Sequence, residues 1–335
     1  MTTKPWIAAL GVALLATTAC DSDVREQQAE EESAAQDIPE PTEVPEGCEP
    51  DGEQLEIGLV TINLQALFFN QINSGAERIA EETGADLQIV DGDDDSVTQA
   101  NAVEDLVASG VDAIIVDAVD TEGIKPAVRD AEEAGVPVVA VDAVVDDPAV
   151  ATQVGVENTE AGAQMGEFLV EESGGEGTVH IVSALNSTIQ LQRQDGFSEA
   201  VEDGGMSVGS VVDGQNVQEE AEDEAQNLLT ANPDAEYIYA TGEPALIGLA
   251  SAVRSQDLTD QVTVVGWDLS EPTVDGLRDG WIGGIVQQNT FELGYQSMSA
   301  AVQHACGEDA PEDIPVPIKM LTPDNIEDYL YFLEK

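Results

Sequence analysis

From Leu55 onward, short apolar runs alternate with segments whose apolar residues recur every three or four positions, the patterns of buried strands and amphipathic helices taken in turn. The first cycle is "LEIGLVT", then a helix from about Leu67 with Phe69, Ile72, Ala76 and Ile79 on one face, a stop at Gly84, and "ADLQIVD". The cycle repeats. A helix over Ser96 to Ser109 leads through Gly110 to "VDAIIVDA", and one over Thr121 to Ala134 leads through Gly135 to "VPVVAVD". After "ATQVGVEN" a second series begins with a helix over Thr159 to Glu172. It continues through "GTVHIVSA", "MSVGSVVD", "AEYIYAT", "VTVVGWD" and "IGGIVQQ", each preceded by a helical pattern. A last helix over about Phe291 to Cys306 and the Pro-rich "PEDIPVPIKM" finish the chain. Two βαβ series of similar length predict an α/β protein of two lobes, and the 335 residues suffice for two cores. Each strand ends in Asp or another polar residue, on the edge where open parallel sheets bind ligands.

The beginning of the chain reads differently. A short basic start with Lys4 precedes "WIAALGVALLA", too short for a membrane span at ~20 residues but suited to a signal-peptide core. The run ends in "TTAC", similar to the lipobox at which bacterial lipoproteins are cleaved and acylated, here on Cys20, although Thr17 stands where Leu is usual. An ordinary signal peptide cut nearby is the alternative. Residues 1–20 therefore read as a lipoprotein signal peptide whose part before Cys20 is expected to be removed, leaving the protein exported and lipid-anchored through Cys20 to the outer face of the cytoplasmic membrane. Residues 21–53, rich in Glu, Gln, Asp and Pro, lack the apolar surface to offset their ordering entropy and read as a disordered acidic tether.

Charge changes the picture further. The 68 acidic and 10 basic residues give a formal net charge of -58, spread along the whole chain, which repels nucleic acid and anionic lipid. Such a balance suits high salt, where screening weakens self-repulsion; an ordinary solubilising surface is the bland alternative. With Cys20 assigned to lipid, Cys48 and Cys306 remain as an even pair in an oxidising compartment and suggest a disulfide, against the alternative of two free thiols.

Enzyme-like motifs fail on context. "GMSVG" (Gly205 to Gly209) fits a serine-hydrolase string but opens a strand, and only His180 and His304 are available as bases. "DGDDDS" (Asp91 to Ser96) starts like a calcium loop, yet Ser96 and Ala102 stand where Gly and Glu are needed. No Walker A, no G-x-G-x-x-G and no C-x-x-C are present, so no catalytic residue, cofactor or metal is expected.

Taken together, "FFNQINSGAERIAEETG", "VEDLVASGVDAIIVDAVD", "IKPAVRDAEEAGVPVVAVD", "AQNLLTANPDAEYIYAT" and "VTVVGWD" give the chain from Leu55 to about Leu330 a resemblance to the ribose-type periplasmic binding proteins of ABC sugar importers. The resemblance implies two Rossmann-like βαβ lobes with parallel sheets joined by a three-strand hinge, the type 1 periplasmic binding protein fold. It places lobe 1 at 54–157 plus 289–306, lobe 2 at 158–286, and residues 307–335 near the hinge. It further implies a monomer that holds a small neutral sugar or polyol between the lobes and passes it to an ABC permease. A sensory lipoprotein that presents its ligand to a chemoreceptor or kinase is the alternative.

Carried over residue by residue, the resemblance nominates Phe68 and Phe69, Asp142, Asn158, Arg193, Trp267, Asp268 and Gln287 as ligand contacts. Carboxylates, amides and an arginine suit sugar hydroxyls, which donate and accept at once, while aromatic faces suit the C–H side of a ring. Plain alternatives are that one of the two Phe is core, that Asp142 caps, and that Trp267 packs. Ala66, Ala143, Asn216 and the Gly242–Glu243 pair depart from the ribose binders, which argues against ribose itself.

Overall fold

A computed structural model describes Cys48 and residues 54–333. The expected signal segment, the Cys20 anchor and the tether apart from Cys48 lie outside the described residues. The fold is built from two six-stranded sheets.

The first contains β1 (Glu56–Thr61), β2 (Asp86–Asp91), β3 (Ala113–Val116), β4 (Val138–Val141), β5 (Val150–Gly155) and β11 (Asp313–Pro315), in the order β11-β5-β4-β3-β1-β2. The second contains β6 (Thr178–Ser183), β7 (Ser207–Asp213), β8 (Tyr237–Ala240), β9 (Thr263–Trp267), β10 (Ile282–Gln288) and β12 (Ile318–Leu321), in the order β12-β10-β9-β8-β6-β7. Every pairing is parallel except that of β12 with β10. β3 and β4 are buried at every residue, as expected where helices cover both faces of a sheet.

Helices α1 (Leu67–Thr83), α2 (Ser96–Ser109) and α3 (Lys125–Glu133) cover the first sheet together with α9 (Thr290–Ala305). The second is covered by α4 (Asn158–Ser173), α5 (Thr188–Asp203), α6 (Gln218–Ala231), α7 (Glu243–Ser255) and α8 (Glu271–Asp279). The helix expected from Thr121 starts four residues later at Lys125. Asp120 Oδ1 accepts from the backbone N–H groups of Glu122 and Gly123 and folds that stretch into a turn instead.

The chain passes between the sheets three times: from β5 into α4, from β10 into α9, and from β11 into β12 through Val316 and Pro317. Residues 307–335, expected beside the hinge, are divided: β11 extends the first sheet, whereas β12 and a 3-10 helix (Ile326–Leu333) complete the second. Gln71 of α1 donates to the Phe332 carbonyl at 2.7 Å and accepts from Thr290 Oγ1 at 2.5 Å, which ties this end to the first lobe.

The helices entered from the crossings pack at backbone distance. A Cβ at Gly196 of α5 would stand 1.9 Å from the Thr159 carbonyl oxygen of α4, and one at Gly294 of α9 1.8 Å from the Ile72 carbonyl oxygen of α1. Only glycine permits these approaches.

Cys48 and Cys306 form a disulfide, Cα atoms 5.8 Å apart and 258 residues apart in sequence, which pins the segment before β1 to the end of α9. Both are only partly buried at the margin of the first core. Cys48→Ser is therefore expected to cost about 2 kcal/mol, the low end for a native disulfide, rather than the larger loss of chain-entropy theory. Peptide mapping of non-reduced protein and urea unfolding of the variant check this; two alkylatable thiols in exported protein would sink it.

Candidate functional site

The C-terminal edges of both sheets face the crossings, and the polar residues at their strand ends converge there. Asp142 directly follows β4 and Asp268 directly follows β9, at equivalent positions of the two lobes. Both adopt left-handed backbone, φ 61° and 60°. Each donates its N–H to the next strand, Asp142 to Val154 O and Asp268 to Val286 O, both at 2.9 Å. A non-glycine residue in this conformation is strained, and the pairing turns its carboxylate out of the sheet.

Arg193 lies near the start of α5 and is 5% exposed. Its Nε donates to Asn158 Oδ1 at 2.8 Å and its Nη1 to the Thr241 carbonyl at 3.2 Å. The guanidinium carbon sits 3.6 Å from the centroid of the Trp267 ring. Trp267 Nε1 in turn donates to Tyr239 Oη at 2.7 Å, and Tyr239 stacks on Phe197 at 3.9 Å. A buried aromatic stack thus carries the arginine, a favourable seat for a cation out of water.

Burial lowers the Arg193 pKa, while Asp268 and Asp142 act against that shift. Burial raises Asp142 to about 6; Arg193 opposes the rise and Asp268 adds to it. The two lobes are therefore close enough for Asp142 to feel charges on the other side. Asp268 is raised by burial, against the pull of Arg193 and hydrogen bonds from Gln288. Glu243, at the start of α7, is raised to about 7 by burial and by Asp268.

The nominated residues divide. Arg193, Asp142 and Asp268 come together, and Asn158 orients Arg193 with its side-chain oxygen while its Nδ2 holds the Val156 carbonyl at 3.0 Å. Trp267 needs correction: it is fully buried with Arg193 over its face, so it supports the arginine and leaves no open face for a ring. Gln287 also needs correction. Its Oε1 accepts from Leu269 N at 2.7 Å and its Nε2 donates to the Gln288 carbonyl, so its amide is spent on backbone. Its neighbour Gln288 donates to both Asp268 oxygens, at 3.3 and 3.0 Å, and keeps a buried Oε1 without a partner. Phe68 and Phe69 meet edge to face at 5.3 Å in the first turn of α1, partly buried against the first core.

Two acids at the same edge were not nominated. Asp117 directly follows β3, is 1% exposed, and has no hydrogen-bond partner on either oxygen. Glu243 is the other. Nothing in the sequence distinguishes Asp117 from the other strand-ending acids; its burial does.

The loop after β2 spends its acids locally: Asp95 caps α2 through Thr98 N at 2.7 Å, Asp91 accepts from Asp93 N, and Asp94 accepts from Asn63 Nδ2. A surface depression of about 830 Å³ lined by Arg254, Asp260, Asp275 and Trp281 opens at the opposite ends of β9 and β10, away from these groups.

A family model described as a periplasmic binding protein domain matches residues 57–309. The ribose import binding protein RbsB of Bacillus subtilis (strain 168) is 26% identical over 271 residues, covering 81% of this chain and 88% of that protein. The xylitol-binding protein of Mycolicibacterium smegmatis is 27% identical over 274 residues, covering 80% and 77%. Among solved structures, an ABC transporter solute binding protein from Bacillus halodurans C-125 with bound myo-inositol superposes with a TM-score of 0.76 at 26% identity, covering 83% of this chain and 98% of that one.

Proposed function

The chain belongs to the periplasmic binding protein domain family, and from that premise we propose that it captures a small sugar or polyol between its lobes and delivers it to an ABC permease. The observation that carries this reading is that Asp142 of one lobe feels Arg193 and Asp268 of the other at the strand ends, where Gln288 donates to Asp268. Directional donors and acceptors set around a buried arginine match a molecule made of hydroxyl groups. Relatives named for ribose and xylitol, and the structure with bound myo-inositol, support the same class. A solute-binding family calls for no catalytic group in the cleft.

The finer parts of the proposal rest on sequence. Cys20 is the acylated anchor, residues 21–53 are the tether that lets a monomer reach its permease, and the acidic surface adapts the protein to concentrated salt.

A thermal-shift screen of sugars and polyols in high salt tests the function. A ligand at a hundred times its Kd adds ~2.7 kcal/mol of stability. With whichever compound responds, Asp268→Asn is expected to bind ten- to a hundredfold more weakly, ~1.5 to 3 kcal/mol, because a charged acceptor is lost in a desolvated cleft. Calorimetry reads the change. A panel without any stabilising compound would remove the reading, and an unchanged affinity in Asp268→Asn would move the site elsewhere.

A further inference from the structure

The cleft holds more carboxylates than its cation can answer. Asp117 and Asp142 stand at adjacent strand ends of the first lobe; in the second, Asp268 follows β9 and Glu243 begins the helix that follows the adjacent strand β8. Arg193 is the cation that Asp142 and Asp268 feel, and its Nε and Nη1 are already engaged by Asn158 and the Thr241 carbonyl. Elsewhere Arg78 pairs with Glu82, Lys125 with Glu122, Arg129 with Asp147 and Arg278 with Glu327, all outside the cleft.

Asp117 is the sharpest case. Burial and the neighbouring Asp142 both push its pKa well up, and neither of its oxygens has a donor. A buried carboxyl without partners is costly, and native structures rarely leave one unexplained. Among the described residues no three His, Cys, Asp or Glu side chains form a group that could hold a metal ion.

We infer that the natural ligand is an amino sugar or amino polyol, whose ammonium group donates to Asp117 and Asp142 while its hydroxyls meet Asp268, Gln288 and Arg193. The inference rests on the solute-binding reading and narrows its substrate class. An ammonium brings both the charge and the donors that the first-lobe acids lack, and Arg193 repels it toward those acids. A neutral sugar brings no charge to Asp117 and Asp142.

The test is calorimetry with matched probes, D-glucosamine against D-glucose and 1-amino-1-deoxy-D-sorbitol against D-sorbitol. It is done at pH 7 in ~1 M NaCl, where the ~3 Å Debye length suppresses general attraction to the acidic surface. In at least one pair the amino compound is expected to bind tenfold or more tightly than its hydroxyl partner. Asp117→Asn, nearly isosteric, should cut that preference to about twofold or less, Asp142→Asn should weaken it likewise, and Glu104→Gln on the exposed face of α2 should leave it intact.

A tighter neutral partner in both pairs would overturn the inference while leaving sugar binding standing. So would an amine preference that Glu104→Gln removes as effectively as Asp117→Asn. Silence from all four probes together with the wider sugar panel would overturn both readings.

Discussion

Arg193→Met is expected to lose ~3 to 5 kcal/mol of folding stability at pH 7 and distinctly less at pH 5. The guanidinium is buried over the Trp267 ring and feels the charges of Asp142 and Asp268, so its removal leaves those buried acids without their cation, the costly way to break a buried charge cluster. The pH dependence follows from the direction of the shifts. Asp142 and Glu243 titrate near 6 and 7 in the folded protein, above their values in the unfolded chain, so folding takes up protons between about pH 4 and 7.

The stability these groups contribute is therefore fully present below about pH 4 and is lost as pH rises through 6 and 7. Arg193 limits that loss by favouring the ionised form of Asp142 and Asp268; without it their pKa values rise further and the decline steepens. Asp147 is shifted the other way by its hydrogen bond from Arg129, so its contribution is present above about pH 4 and disappears in stronger acid. The ligand-free wild type should accordingly be most stable between about pH 4 and 6. Urea unfolding of both proteins at pH 5 and 7 in constant high salt measures the difference. An equal loss at the two pH values would mean that Arg193 acts only by packing on Trp267.

The α/β architecture was legible because fully buried parallel strands read as continuous apolar runs, and "AIIV" and "VVAV" contain no polar residue. Gly84 and Gly110 marked two helix ends for a physical reason: both adopt left-handed backbone, φ 76° and 89°. Asp142 and Asp268 were legible as acids ending buried strands.

What was not legible depends on register or on depth. Gln287 and Gln288 are adjacent and chemically identical, and one residue of register decides which faces the cleft. β10 shifts register against β9 between Ile282 and Gly284, an irregularity that no apolar pattern announces. Trp267 looked like a stacking platform because a sequence does not show that a guanidinium already lies on it. β11 and β12 are three and four residues long, too short to carry a periodicity. Asp117 became conspicuous only through its burial and its empty hydrogen-bond shell.

The melting temperature of the ligand-free protein is expected to rise by about 10 °C or more between 0.01 M and 1 M NaCl at pH 7. The formal charge of -58 has few internal counterweights. The cations that make ion pairs each answer a local acid, as Arg78 answers Glu82 and Arg278 answers Glu327. Helices α6 and α2 carry runs of exposed acids that have no cation within their own length. At 0.01 M the Debye length is ~30 Å, so charges repel across a whole lobe; at 1 M it is ~3 Å and only immediate neighbours interact. Unfolding relieves that repulsion by spreading the chain, so dilute salt favours the unfolded state. A change of several kcal/mol corresponds to the shift given, at ~2 to 4 °C per kcal/mol for domains of this size. Two controls separate screening from general effects of cosolutes on hydrophobic burial. Sucrose at matched osmolality should not reproduce the rise, and the salt effect should shrink toward pH 4, where carboxylates take up protons and the charge falls. A melting temperature flat in salt at pH 7, or a salt effect that persists unchanged at pH 4, would show that the acidic surface is not what limits the stability of this fold.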